Sequence, residues 1–218
     1  MPIFGVDISR YQPLVAMNGF DFVFVNAEDP GFDDKVNHAK SLGIPWGPYS
    51  WVYPGQGARD MQRAIRVCVP HGDPPLGYWL DYEEKGVAQS DLDAALDHAT
   101  QQGEIDRTGV YTYLYMIDGV DVRGRPLWLA YYPGNNDGNF PPSEDGDARQ
   151  HGAVLWQYTS GANAPVGLDK NIVIDEAWYQ TWTGGSGDDD MGFSQWTQAD
   201  KDEFGVFMAR INGRNAGG

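Results

Sequence analysis

Apolar residues in the first half of the chain come in short runs, separated by segments with helical spacing. IFGVDIS (3–9) and FDFVFVNAE (20–28) read as strands, the second rich in Phe and Val. DDKVNHAKSLG (33–43) reads as a helix that stops at Gly43. WGPYSWVYP (46–54) is a third strand, ended by Pro54, and ARDMQRAIRVCV (58–69) has helical periodicity up to Pro70. LGYWLDYE (76–83) is a fourth strand. SDLDAALDHATQQG (90–103) is a helix with Ser90 as its expected N-cap and Gly103 as its stop. GVYTYLY (109–115) is a fifth strand. Beyond it the helical spacing fades, and PLWLAYY (126–132), AVLWQYTS (153–160) and KNIVID (170–175) read as strands joined mostly by loops.

Strands separated by helices imply parallel pairing, and so long a series implies a closed barrel. Nearly continuous apolar strands fit burial on both faces. The expected fold is therefore α/β: an irregular TIM-like barrel over residues 1–182, five β/α units followed by three strands. TGGSGDDD sets a flexible linker at 183–190. The segment 191–218 carries one amphipathic helix, a C-terminal appendage. There Phe204, Phe207, Met208 and Ile211 recur at i, i+3, i+4 and i+7. One such helix does not fold alone, so docking or self-association through that stripe is expected.

Charge narrows the partners. Thirty-one acidic residues stand against 15 basic ones, a formal net charge of −16. Phosphate backbones repel such a chain, which argues against nucleic acid and against anionic membrane surfaces. No apolar run is long enough for a membrane-spanning helix. The opening MPIFGVDISRYQ lacks a basic stretch followed by a long apolar one, so no secretory signal is read there. The single cysteine, Cys68, lies in an apolar helical context and reads as a core residue. The four histidines (His38, His71, His98, His151) form no metal-binding spacing, and neither a metal nor a cofactor is expected.

In a parallel barrel, chemistry gathers where the strands end. Asp7 ends the first strand, Asn26 and Glu28 the second, Asp81 and Glu83 the fourth. Asp169 stands where the chain enters the last strand, on a side the pattern alone does not fix. Asp81 and Glu83, two apart, share one face of their strand, while Tyr82 and Glu84 face the other way. Two carboxylates in a partly apolar mouth cannot both ionise easily, so one keeps its proton near neutral pH. Cleavage of an acetal bond needs such an acid, although loop carboxylates that hold water or a cation give the same spacing. Eight Trp and twelve Tyr supply flat apolar faces. Tyr49, Trp51 and Tyr53 alternate along the third strand, Tyr132 ends the sixth, and Trp156 and Gln157 lie in the seventh. With Asn26 these are the expected substrate contacts. Alternation sends some of the rings outward, under the helices.

Taken in order, these segments resemble glycoside hydrolase family 25, the lysozymes of phages and some bacteria. GVDISRYQ resembles the family's opening motif, YWLDYE its hydrophobic-Asp-x-Glu signature, and PLWLAYY its Trp-x-Ala-x-Tyr strand. VLWQYTS and GLDKN resemble its two late elements. The resemblance implies a barrel of five β/α units and three strands. It also implies cleavage of the β-1,4 bond between N-acetylmuramic acid and N-acetylglucosamine in peptidoglycan. It makes Glu83 the general acid and later the base, with Asp81 orienting substrate and tuning Glu83. Asp7 and Asp169 complete an acidic cluster, and Tyr132 helps hold the sugar. Two stretches depart from the family pattern: Asn26-Ala27-Glu28 in strand two, and Tyr49-Ser50-Trp51 in strand three. The implied setting is a phage lysin, held in the host cytoplasm until released to the wall or carried on the virion. The competing reading is a barrel that grips glycan without cutting it, or a virion structural component.

Overall fold

The computed structural model describes residues 2–132, 145–160 and 168–184. The expected linker, apart from its first two residues, and the apolar stripe of Phe204, Phe207, Met208 and Ile211 lie outside the described residues.

Eight strands close into a barrel in chain order. They are β1 (Phe4–Ile8), β2 (Phe22–Asn26), β3 (Trp46–Trp51), β4 (Tyr78–Asp81), β5 (Thr108–Tyr113), β6 (Leu127–Ala130), β7 (Leu155–Gln157) and β8 (Asp169–Val173). The first seven pair in parallel. The last runs antiparallel to both of its neighbours, β1 and β7. Long helices follow β2, β3 and β4: α1 (Phe32–Leu42), α2 (Gly57–Cys68) and α3 (Gln89–Gln102). The connections after β1 and β5 carry only 3₁₀ turns, and a short helix, α4 (Gly146–Gln150), precedes β7. No described helix is long and apolar enough to cross a membrane.

Helix ends follow local chemistry. Gly43 and Gly103 close α1 and α3 in the left-handed conformation, as their positions suggested. The start of α3 differs from expectation. Its N-cap is Ala88 rather than Ser90, and the Asp91 carboxylate accepts the Ala88 N–H at 2.9 Å. An acid at the third helical position satisfies the exposed donor that a Ser cap would otherwise address.

Alternation divides the strands between two cores. Outward residues, among them Val23, Val25, Leu80 and Val110, pack beneath α1–α3 with Met61, Ala64, Leu92 and Leu96. Cys68 is buried in the same layer. Inward residues, among them Phe22, Phe24, Trp79 and Trp128, fill the barrel. Such rings fit only where their neighbours are small. A Cβ on Gly109 would stand 2.5 Å from the Trp79 ring, and one on Gly5 2.1 Å from that of Phe22.

The barrel's floor is closed by a helix that the sequence pattern did not suggest, α5 (Glu176–Thr183). Asp175 caps it by accepting the Trp178 N–H at 3.0 Å. Trp178, Tyr179 and Trp182 pack against the inner core, where Trp79 meets both tryptophan rings. Arg107, next to the start of β5, donates to the Trp182 carbonyl at 3.3 Å. With the floor covered by indoles, the cleft among the described residues opens at the opposite mouth.

Candidate active site

The parity that fills the barrel with rings also determines which side chains reach its open mouth. On β4 it continues from Trp79 to Asp81 and, just past the strand, Glu83. On β5 it gives Tyr111 and Tyr113, on β3 Tyr49 and Trp51, on β6 Trp128 and then Tyr132, and on β7 Gln157. All of these line one cleft of about 470 Å³, together with Asp7, Asp169, Gln12 and Ser160. Asp169 is there because β8 is antiparallel. The beginning of that strand lies beside the end of β1, with Asp169 directly opposite Asp7.

Four carboxyl groups thus share the mouth, and among the described residues no Lys, Arg or His lines it. Burial is the main cause of their altered acidity. Asp7 is raised well above the ordinary carboxylate range, first by burial and then by the Asp169 charge; Asn171 and Gln157 pull the other way. Both donate to Asp7 Oδ2, at 2.8 and 2.9 Å. Asp81 is raised by burial, then by the charges of Glu83 and Asp7. Glu83 is pushed up to about 7, again chiefly by burial, while Tyr113 and Tyr111 act to lower it. At neutral pH its carboxyl is therefore partly protonated.

Behind the acids lies a polar network. Tyr111 and Tyr132 donate their hydroxyls to Gln157 Oε1, at 2.8 and 2.7 Å. Asn171 accepts from the Trp128 indole at 2.8 Å while donating to Asp7. Two oxygens break this pattern of satisfaction. Asp81 Oδ1 and Glu83 Oε2 are buried with no hydrogen-bond partner among the described residues. A buried acceptor without a partner costs about 1–3 kcal/mol, more when charged. In a native fold that cost marks a place kept for chemistry or for a ligand.

Of the residues expected from sequence, Asp7, Asp81, Glu83, Asp169, Tyr49, Trp51, Tyr132 and Gln157 meet in the cleft. Three lie elsewhere. Trp156 is fully buried and faces outward, stacked on Tyr131 with centroids 4.7 Å apart, because its neighbour Gln157 takes the inward position. Asn26 sits behind the wall: its side chain hydrogen-bonds Tyr49, and its Oδ1 accepts the Glu28 N–H at 2.7 Å. Tyr53 stacks on Trp51 outside the lining. Its N–H is held by Asp60 and its hydroxyl by Glu28, and Arg63 pairs with both carboxylates. Arg63 also reaches Ser50 Oγ at 3.3 Å. The two departures from the family pattern, Glu28 and Ser50, thus converge on one guanidinium. Sequence reasoning passed over Tyr111, Tyr113, Trp128 and Asn171. Alternation through GVYTYLY and PLWLAYY carries the signal for the first three.

A one-mouthed barrel with clustered, partly protonated carboxyls and aromatic walls has the equipment to hydrolyse an acetal linkage. The chain belongs to Glycosyl hydrolases family 25, whose family model matches residues 6–166, and it is a glycoside hydrolase. No curated protein matches it. Among solved structures it is similar to a glycosyl hydrolase 25 of Streptococcus pneumoniae described as a virulence factor (17% identity, 83% of this chain and 92% of that one, TM-score 0.67). It is also similar to a bacterial lysozyme from Streptomyces coelicolor (16%, 84% and 98%, 0.59). A third similar structure is the CTP1L endolysin (16%, 84% and 70%, 0.57). At these identities the likeness concerns the fold.

Proposed function

We propose that the protein is a lysozyme-type peptidoglycan hydrolase that cleaves the β-1,4 bond between N-acetylmuramic acid and N-acetylglucosamine. The observation that carries this reading is Glu83, held near neutrality beside Asp81 in a closed-bottomed cleft, each with an unpartnered oxygen. Glu83 donates a proton to the leaving glycosidic oxygen and later takes one from water. Asp81 orients the substrate, and the Asp169 charge helps keep Glu83 protonated. Asp169, opposite Asp7, adds negative potential beneath the sugar, which favours the positive charge that develops at its anomeric carbon. Tyr49, Trp51 and Tyr132 offer their rings to the sugar faces and Gln157 its amide. Asn26 supports this wall from behind, and Tyr53 stacks on Trp51 at its outer edge. A finer reading is a phage lysin; family membership and the shared fold with an endolysin support it.

Clearing of purified Gram-positive walls, followed by identification of the new reducing ends, tests the proposal. Wild type should release N-acetylmuramic acid ends, and Glu83→Gln should release none. Equal clearing by both proteins removes Glu83 from the acid's role. New N-acetylglucosamine ends would place the cut at the other linkage. Tight binding without cleavage by wild type would favour a glycan-gripping barrel.

A further inference from the structure

A glycan strand cut at an internal bond must leave the cleft in both directions. A cleft of about 470 Å³ encloses only a short segment of it. The surface just outside therefore meets further sugar rings, and two aromatic pairs stand there. On β3, Trp51 lines the cleft and Tyr53 stacks beside it, with ring planes 20° apart and centroids 6.4 Å apart. On the β5 side, Tyr113 lines the cleft and Tyr115 stacks beside it, at 16° and 5.3 Å. Strands β3 and β5 are the two neighbours of β4, the strand that leads to Glu83. The pairs thus flank the proposed acid, each stepping from the cleft wall outward.

Tyr115 has no role in the core, being 79% exposed. Its stack on Tyr113 fixes the ring in advance, so its outer face can receive a flat partner with little further loss of side-chain freedom. We infer that Tyr115, backed by Tyr113, is an outer subsite for a sugar ring of the glycan strand, on the opposite side of Glu83 from Trp51 and Tyr53. The inference rests on the glycan-hydrolase reading above and adds the direction of the strand: across the end of β4, from the β3 side to the β5 side.

The test compares Tyr115→Ala and Tyr115→Phe with wild type on two substrates. One is long glycan strands freed of peptide cross-links; the other is the shortest oligomer of the same repeat that wild type cleaves. Tyr115→Ala should raise KM on long strands by roughly three- to tenfold, the size of one aromatic contact, with kcat little changed. The loss should shrink on the shortest oligomer, and Tyr115→Phe, which keeps the flat face, should behave as wild type on both. An unchanged KM for Tyr115→Ala on long strands overturns the subsite while leaving the hydrolase reading intact. Equal losses at both lengths also overturn it, by assigning the effect to a disturbed Tyr113 wall. If wild type cleaves no strand of any length, the hydrolase reading fails and the subsite falls with it.

Discussion

Replacing Glu83 by Gln should abolish cleavage and also make the protein more stable, by an amount that depends on pH. An ordinary glutamate titrates near 4.5, whereas Glu83 in the fold titrates near 7 because burial disfavours its charge. Between those values the folded state holds a proton that the unfolded chain has released. Stability of the wild type therefore falls as pH rises from about 4.5 and levels off above about 7. At 1.36 kcal/mol per pH unit, the full window is worth about 3 kcal/mol. Gln cannot ionise, so the variant escapes this loss. It also relieves Asp81 of the Glu83 charge, the second cause of its raised proton affinity, which works in the same direction. For a domain of this size, about 3 kcal/mol corresponds to a rise in Tm of roughly 6–12 °C. Thermal unfolding of wild type and Glu83→Gln at pH 4 and pH 8 measures it. The two should melt together at pH 4 and separate at pH 8, with the variant higher. Wild-type activity should decline over the same range, as the acid loses its proton with an apparent pKa near 7. A variant that is inactive yet melts with wild type at pH 8, or is offset equally at both pH values, would refute burial as the source of the perturbed acid.

Three further outcomes follow from named contacts. Asn171→Ala removes one donor to Asp7 and leaves the buried Trp128 indole N–H without its acceptor; urea unfolding should show a loss of roughly 2–4 kcal/mol. The same change should strengthen proton binding at Asp7, moving the acidic limb of the rate profile upward. Arg63→Met strips both Glu28 and the fully buried Asp60 of their cation. It should cost roughly 1–3 kcal/mol, discounted for the partly exposed guanidinium, and raise KM by loosening Tyr53 behind Trp51. Gly57→Ala would place a Cβ 1.8 Å from the Asp91 carbonyl oxygen, where α2 meets α3. Helix backbones must then separate, and urea midpoints should fall by the equivalent of about 1–3 kcal/mol or more.

The barrel was legible because each strand is a short apolar run and each long crossover has helical spacing. Asp81 and Glu83 were legible as a pair because period-two alternation needs no tertiary information. The same rule places Trp156 outward once Gln157 is inward, but nothing within VLWQYTS says which of the two faces the mouth. That choice is made by Tyr111 on β5, Tyr132 just past β6 and Asp7 on β1, which gather around the Gln157 amide. The direction of β8 was illegible for a related reason. Its apolar pattern reads alike in either direction, and pairing with β1 and β7 decides. Helix α5 spans eight residues, three of them Trp or Tyr, and its aromatic spacing gains meaning only against the barrel floor that it covers. Tyr115 reads from sequence as one more strand residue; its exposure shows only after β5 has ended.

The main influences on Asp7, Asp81 and Glu83 are burial, neighbouring carboxylates and neutral hydrogen-bond donors rather than cations. Arg63 is committed to Glu28 and Asp60 behind the wall. Glu28 still acts on Asp81 as a negative neighbour, raising its proton affinity. Burial and mutual repulsion therefore work together, and the cluster retains protons at a pH where isolated carboxylates would be ionised. Proton retention alone would describe a poor binder of anything charged. Combined with the Asp169 charge, which acts on both Asp7 and Glu83, it favours a reaction in which one group must deliver a proton while positive charge develops beside it. Glycosidic cleavage through an oxocarbenium-like transition state makes both demands at once. A cation would find Asp81 and Glu83 too protonated to hold it well. A neutral sugar ring, stacked on tyrosine and tryptophan above the acids, is the ligand whose reaction uses every part of this mouth.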